Sequence, residues 1–236
     1  FIAAARAGVR VSVLTCSPGD EAYSLYGHTA LRYVDTERDI DVVFNYGCFD
    51  FSTPNFGWRF VLGETDYLVG CIDFENFLPE YELRGSGVVE QVIDLSDEEA
   101  RSLFRILLVN IRPENRVYRY RYLDNNCTTK VRDMIEKAVM GRIAYPQLEE
   151  KKTYRQILHE YTREDLWAAE GNDFLLGGSV DTVLSDRATM FAPEYMQWFA
   201  EGAQIYADDG SLRPLVKNTE IILQERLSDV GENSSP

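Results

Sequence analysis

An α+β fold is predicted for this chain, and three observations predict it. Strand-like segments with alternating character and Val, Ile and Tyr enrichment cluster in the first half. Helical periodicity is strongest in a capped segment that begins at Ser96, and helix candidates dominate the later third of the chain. Early strands and late helices do not make regular βαβ units, so an antiparallel sheet packed on helices is expected. At 236 residues, with 45% hydrophobic and 12% aromatic content, the chain suits one substantial domain with a real core.

The expected strands are VRVSVL (9–14), HTALRYV (28–34), DVVFNY (41–46), DYLVGCI (66–72) and GVVEQVIDL (87–95). SPGDEAYSLYG supplies a Pro-Gly turn and a short helix ending at Gly27, and PNFGWRFVLG (54–63) suits another short helix. FENFLPEYELRG reads as a helix interrupted by Pro79. The clearest helix is SDEEARSLFRILLVN (96–110), where Ser96 caps and Glu99 completes a capping box. NRVYRYRYL (115–123) alternates Arg with Tyr or Val, as a strand with unlike faces does. It ends at DNN, and CTTKVRDMIEKAVMG (127–141) comes next as an amphipathic helix with Gly141 as its C-cap. TYRQILHEYT, REDLWAAE and APEYMQWFAEG are the later helix candidates. TEIILQERL reads equally as strand or helix, and the GENSSP tail is expected to fray. The expected organisation is a core over 1–145 and a mostly helical extension over 146–236, packed on the core as a single compact unit.

A net charge of −15 argues against nucleic acid and against electrostatic docking on an anionic bilayer. No apolar run reaches the roughly 18 residues of a spanning helix. The opening FIAAARAG reads as a mature start after removal of a signal peptide. Four cysteines, Cys16, Cys48, Cys71 and Cys127, lack CxxC pairing or a histidine cluster, so neither a zinc site nor any other metal or cofactor is expected. Disulfides are left open.

Chemistry concentrates at DNNCTTKVR. Cys127 stands between a turn-forming Asn pair and the start of a helix, where unpaired N–H groups and the helix dipole favour thiolate. The same N–H groups could hold an oxyanion. Cys71, in apolar LVGCID, reads as structural, and Cys48 has no helix after it. Cys16 precedes a turn leading toward His28, which makes it a second nucleophile candidate or a site neighbour. A thiol needs a base, and the chain has two histidines. His28 opens a strand after Gly27, whereas His159 lies beside Glu160 on a solvated helix face. Asn45, polar in an otherwise apolar strand, is the candidate orienter of the imidazole; a turn with Gly47 is its alternative use, and Asp50 and Asp20 are fallbacks. Asn126 and Thr128 are the expected oxyanion positions, with Tyr26 and Cys16 lining the site.

A strand-borne histidine and a helix-start cysteine are two halves of a papain-like arrangement. With histidine first, GHTAL and NNCTTKV resemble the circularly permuted branch of the NlpC/P60-type papain fold. More specifically, TCSPGDEAYSLYGHTALR, FNYGCFDF and RYRYLDNNCTTKVRD together resemble the Lnb N-terminal periplasmic domain family of Gram-negative envelopes, over about residues 10–140. The resemblance implies a lipoprotein N-acyltransferase. A phospholipid would donate an acyl chain through a thioester at Cys127, with His28 as base, to the N-terminal amine of a diacylglyceryl lipoprotein. It implies a periplasmic location, with membrane contact through segments outside this chain. Aromatic residues of FDFSTPNFGWRFVLG could line an acyl groove, although a core role is the stronger expectation for most of them. Arg119 and Arg121, on one strand face, could meet lipid phosphate, and surface ion pairing accounts for them equally. Cys48 stands where the family pattern suggests a small residue such as Thr. Two other functions fit the same residues: a cysteine peptidase or amidase on cell-wall peptides, and a non-catalytic envelope binding domain.

Overall fold

The sheet is organised around its most thoroughly buried strand. The computed structural model describes residues 8–19, 24–49, 66–161 and 180–226. In it β1 (Val9–Cys16) lies between β2 (His28–Asp35) and β5 (Val88–Ile93), antiparallel to both. β3 (Ile40–Phe49), β4 (Asp66–Asp73), β6 (Val117–Arg119) and β10 (Val216–Leu223) complete a seven-stranded antiparallel sheet of order β10-β5-β1-β2-β3-β4-β6. Six consecutive residues of β1, Val11 to Cys16, are buried, because helices cover both faces at this central position.

Pleat parity separates the two faces. Val11, Val13, Leu31, Tyr33, Phe44 and Tyr46 pack against Leu103 and Leu107 of α2 (Asp97–Asn110) and Val131 and Ile135 of α3 (Cys127–Ala138). Each such aliphatic side chain contributes roughly 1.5–3 kcal/mol on burial. Leu14, Cys16, Ala30, Val43 and Val88 point the other way, onto Phe77 and Tyr81 of α1 (Phe74–Arg84). The cap at Ser96 forms as the sequence predicts: Ser96 accepts from Glu99 N, and Glu99 Oε2 accepts from Ser96 N. Glu99, 1% exposed, also accepts from Met140 N and from Arg213, so one carboxylate fastens two distant segments to the start of its own helix.

β7 (Gly141–Ala144), β8 (Gln204–Ala207) and β9 (Leu212–Pro214) make a second, three-stranded antiparallel sheet. The same part of the chain holds α4 (Tyr154–Tyr161), α5 (Asp186–Thr189) and α6 (Pro193–Gly202). Beyond 145 the described residues hold strands as well as the predicted helices. Among them three helices share the chain with three strands, and the ambiguous TEIILQERL segment contributes to strand β10, which hydrogen-bonds β5.

Other local expectations need correction. Pro79 does not interrupt α1: its ring is exposed, and Phe77 and Tyr81, both buried, hold the helix across the lost hydrogen bond. Gly141 opens β7 and does not cap α3. At its φ of 137°, an added Cβ would lie 2.2 Å from Tyr206 O, so the close strand pairing requires glycine. The 115–123 strand is only three residues long, because the Arg121 and Asn125 backbones bond each other and fold the chain into a turn. Cys71 is exposed near the end of β4 and is no part of the core. Residues 24–26 form a turn, whereas 20–23, the 54–63 helix, REDLWAAE, most of GNDFLLGGSVDT, the GENSSP tail, and both Asp20 and Asp50 lie outside the described residues.

Candidate active site

The α3 N-terminus is fixed from both sides by a single side chain. Asn126, in extended conformation, accepts from Thr129 N through Oδ1 at 2.9 Å, while Thr129 Oγ1 accepts from Asn126 N at 2.9 Å. The Asn126 amide also donates to Tyr122 O and to Phe191 O, both at 2.8 Å. All its polar atoms are thus engaged, which removes Asn126 as an oxyanion donor and makes it the anchor of the helix. Thr129 N–H is taken by the cap, and helix geometry leaves Cys127 and Thr128 N–H without an intrahelical acceptor. These two are the groups able to face a developing negative charge.

His28 arrives from the sheet. Gly27 before it has φ 74°, and a Cβ there would lie 2.5 Å from Cys16 O, so the chain can enter β2 this sharply only as glycine. Register places Cys16 opposite His28 and Ala30 opposite Asn45. His28 and Asn45 are therefore diagonal neighbours on one face, and His28 Nε2 meets Asn45 Oδ1 at 3.1 Å. That contact occupies Nε2, and the imidazole lies near enough to the Cys127 thiol for each to shift the other's titration. α3 packs on the opposite face from His28. The two groups meet because each is first in its element, at the end of the strands.

The site's electrostatics derive from this pairing. Burial, the largest influence, raises the Cys127 thiol. The His28 charge and hydrogen bond, Thr29 N–H and the Thr128 hydroxyl outweigh it and bring the thiol from 9.0 to about 7. Burial likewise lowers the His28 imidazole, but Cys127 and Asn45 prevail and its net shift is upward. The Thr128 hydroxyl lies 3.8 Å from Cys127 Sγ and 3.1 Å from Thr29 Oγ1, so both threonines support the sulfur. A thiolate–imidazolium pair held this way is a nucleophile with a proton donor beside it.

Cys16 is a neighbour of a different kind. It is 1% exposed and bonded to Tyr81, and burial pushes its thiol far above the ordinary value. Burial also raises Cys48 and Cys71. All four cysteines are free. His159 lines a separate surface depression with Glu150, Lys152, Gln156 and Glu160. No cluster of three or more metal-ligating side chains occurs among the described residues.

Tyrosines surround the thiol, and they come from the face of the YRYRY segment opposite its arginines. Tyr120 stacks on Tyr67 at 4.0 Å, and Tyr122 packs against Tyr26 at 4.9 Å. A Cβ built on Gly47 would touch Tyr67, Tyr120 and Cys127 at 3.8–3.9 Å, so the bulge in β3 brings this backbone close to Cys127. Tyr26 belongs to this aromatic wall with Tyr161 and flanks the cap. Arg119 and Arg121 turn outward into ion pairs with Asp66 at 2.9 Å and Asp124 at 2.7 Å. Thr29, Tyr81, Tyr120 and Gly47 are not predicted from the sequence. The YRYRY alternation carries a signal for Tyr120, whereas Gly47, close behind Asn45, signals no more than a turn.

Fold and site together define an antiparallel α+β domain with a Cys–His–Asn constellation at a capped helix N-terminus. The model of the Lnb N-terminal periplasmic domain family matches residues 4–160, and the chain belongs to that family. It is a periplasmic domain, and no helix among the described residues is long and apolar enough to cross a membrane. No curated protein and no solved structure matches the chain.

Proposed function

We propose that the chain is the periplasmic acyl-transfer domain of a lipoprotein N-acyltransferase, with a permuted papain-like site of Cys127, His28 and Asn45. One observation carries this: the His28 imidazole, whose Nε2 is held by Asn45, is the chief influence that lowers the Cys127 thiol to about 7. Membership of the Lnb N-terminal family supports the setting.

Cys127 thiolate attacks an ester carbonyl of a phospholipid, and the negative oxygen faces the Cys127 and Thr128 N–H groups. When the tetrahedral adduct collapses, the C–O bond breaks and His28 gives its proton to the leaving lysophospholipid alcohol. A thioester remains on Cys127. His28, now neutral, takes a proton from the attacking lipoprotein N-terminal amine. The C–S bond breaks, and amide and thiolate result with His28 again protonated. Asn45 keeps the imidazole in the tautomer that serves both steps. Membrane tethering belongs to the same proposal, since donor and acceptor are both lipid-borne.

The test is mass spectrometry of the protein incubated with phospholipid. An acyl adduct is expected on Cys127, absent in Cys127→Ala and discharged by an added diacylglyceryl-cysteine peptide. Cleavage of muropeptides without a lipid adduct would assign the site to a cell-wall peptidase or amidase instead. Inertness toward both would return the chain to a binding role.

A further inference from the structure

Arg119 and Arg121, the lipid-phosphate candidates of the sequence, are half or more exposed and paired with Asp66 and Asp124, as surface ion pairing also predicts. A different arginine stands at the site. The segment after α1 is fastened to the stretch after Cys16: Ser17 N donates to Gly87 O at 2.9 Å, Gly87 N to Ser17 Oγ at 2.8 Å, and Ser86 Oγ to Pro18 O at 3.3 Å. This holds Arg84, the last residue of α1, at the strand end where Cys16 faces His28. Its guanidinium lies 5.1 Å from the ring centroid of Tyr81, whose hydroxyl bonds Cys16. The Arg84 charge is felt at both Cys16 and His28.

Arg84 is well covered, its side chain 19% exposed, and it pairs with Glu80, whose side chain is 61% exposed. An exposed carboxylate four positions back is a weak partner that a better anion can displace. Leu83 beside it is 87% exposed, so an apolar side chain and a cation share this rim. In a glycerophospholipid the scissile ester and the phosphate are separated only by the glycerol.

We propose that Arg84 is the headgroup contact of this site, its guanidinium binding the phosphate diester while the donor's ester carbonyl lies at Cys127. The assignment rests on the acyl-transfer proposal for its substrate class, and the experiment separates the two. The Cys127→Ala chain is titrated calorimetrically with dihexanoyl phosphatidylglycerol, dihexanoylglycerol and inorganic phosphate. Phospholipid is expected to bind more tightly than either of the others. Adding Arg84→Gln should weaken phospholipid binding about tenfold or more, the effect of losing a charge-assisted hydrogen bond, and leave dihexanoylglycerol unchanged. Arg84→Lys should recover part of the loss. Glu80→Gln, which removes the competing carboxylate, should tighten binding, an effect a purely structural Arg84–Glu80 pair would not produce. The headgroup contact is overturned if phospholipid does not bind, if Arg84→Gln leaves its affinity unchanged or weakens both lipids equally, or if inorganic phosphate binds as tightly. Arg84-dependent phospholipid binding with no thioester on the unaltered chain would uphold the contact and sink acyl transfer alone.

Discussion

Removing the His28 imidazole should raise the Cys127 thiol, and the geometry of the site sets the size of the effect. The thiol sits at about 7 against an ordinary 9.0, a net stabilisation of the thiolate by roughly 3 kcal/mol at 1.36 kcal/mol per unit. Burial opposes that shift and His28 is the chief group producing it. His28→Ala should therefore carry the thiol to 9.0 or above, because burial remains when the cation is gone. At pH 7 about half of Cys127 is thiolate in the native protein, and roughly 1% or less would be in the variant. The assay is iodoacetamide alkylation against pH, read by mass spectrometry on the Cys127 peptide so that exposed Cys71 does not contribute. The native midpoint should fall near 7 and move up by about two units or more in His28→Ala. A native midpoint at the ordinary thiol value, or one that does not move when the histidine is removed, would refute the electrostatic pairing. His28 is raised by the same partner, so each group favours the charged form of the other. The pH–rate profile of acylation should be a bell whose limbs belong to the pair.

Asn45→Ala removes the acceptor on His28 Nε2. Losing a hydrogen bond to a charged group costs about 1.5–3 kcal/mol, so thioester formation should slow by roughly 10- to 100-fold with little change in melting temperature; an unchanged rate would remove Asn45 from the site. Asn126→Ala deletes the helix cap and abandons the buried Phe191 carbonyl and the part-buried Tyr122 carbonyl. Thermal unfolding should show a loss of about 2 kcal/mol or more, and a variant as stable as the parent would contradict the anchoring role. Glu99 is held below the ordinary carboxylate value of 4.5, burial being outweighed by bonds from Ser96, Met140 and Arg213. A lowered folded value means a contribution present above 4.5 and lost as pH falls through the folded value. The melting temperature should therefore drop on acidification below about pH 4.5, and less steeply in Glu99→Gln.

Local features are legible in the amino-acid order alone. Alternation places β1 to β5, because a half-buried strand must alternate or, at the sheet centre, stay apolar. The capping pattern places α2, and the Asn–Cys step places Cys127 at a helix start, since caps act within one turn. His28, Asn45 and Cys127 each stand out from their immediate neighbours. Their meeting does not. It depends on Cys16 facing His28 and Ala30 facing Asn45, a register fixed by strands that pair across intervening loops. The roles of Asn126 and the arginines are also decided in three dimensions. Asn126 spends its amide on Tyr122 and Phe191. The turn at Arg121–Asn125 cuts β6 short and sends the arginines outward, leaving the tyrosines around the thiol. β10 reaches the sheet edge only because β5 offers it unpaired backbone groups. Periodicity reports which side of an element is buried, while tertiary packing alone decides what that side is buried against.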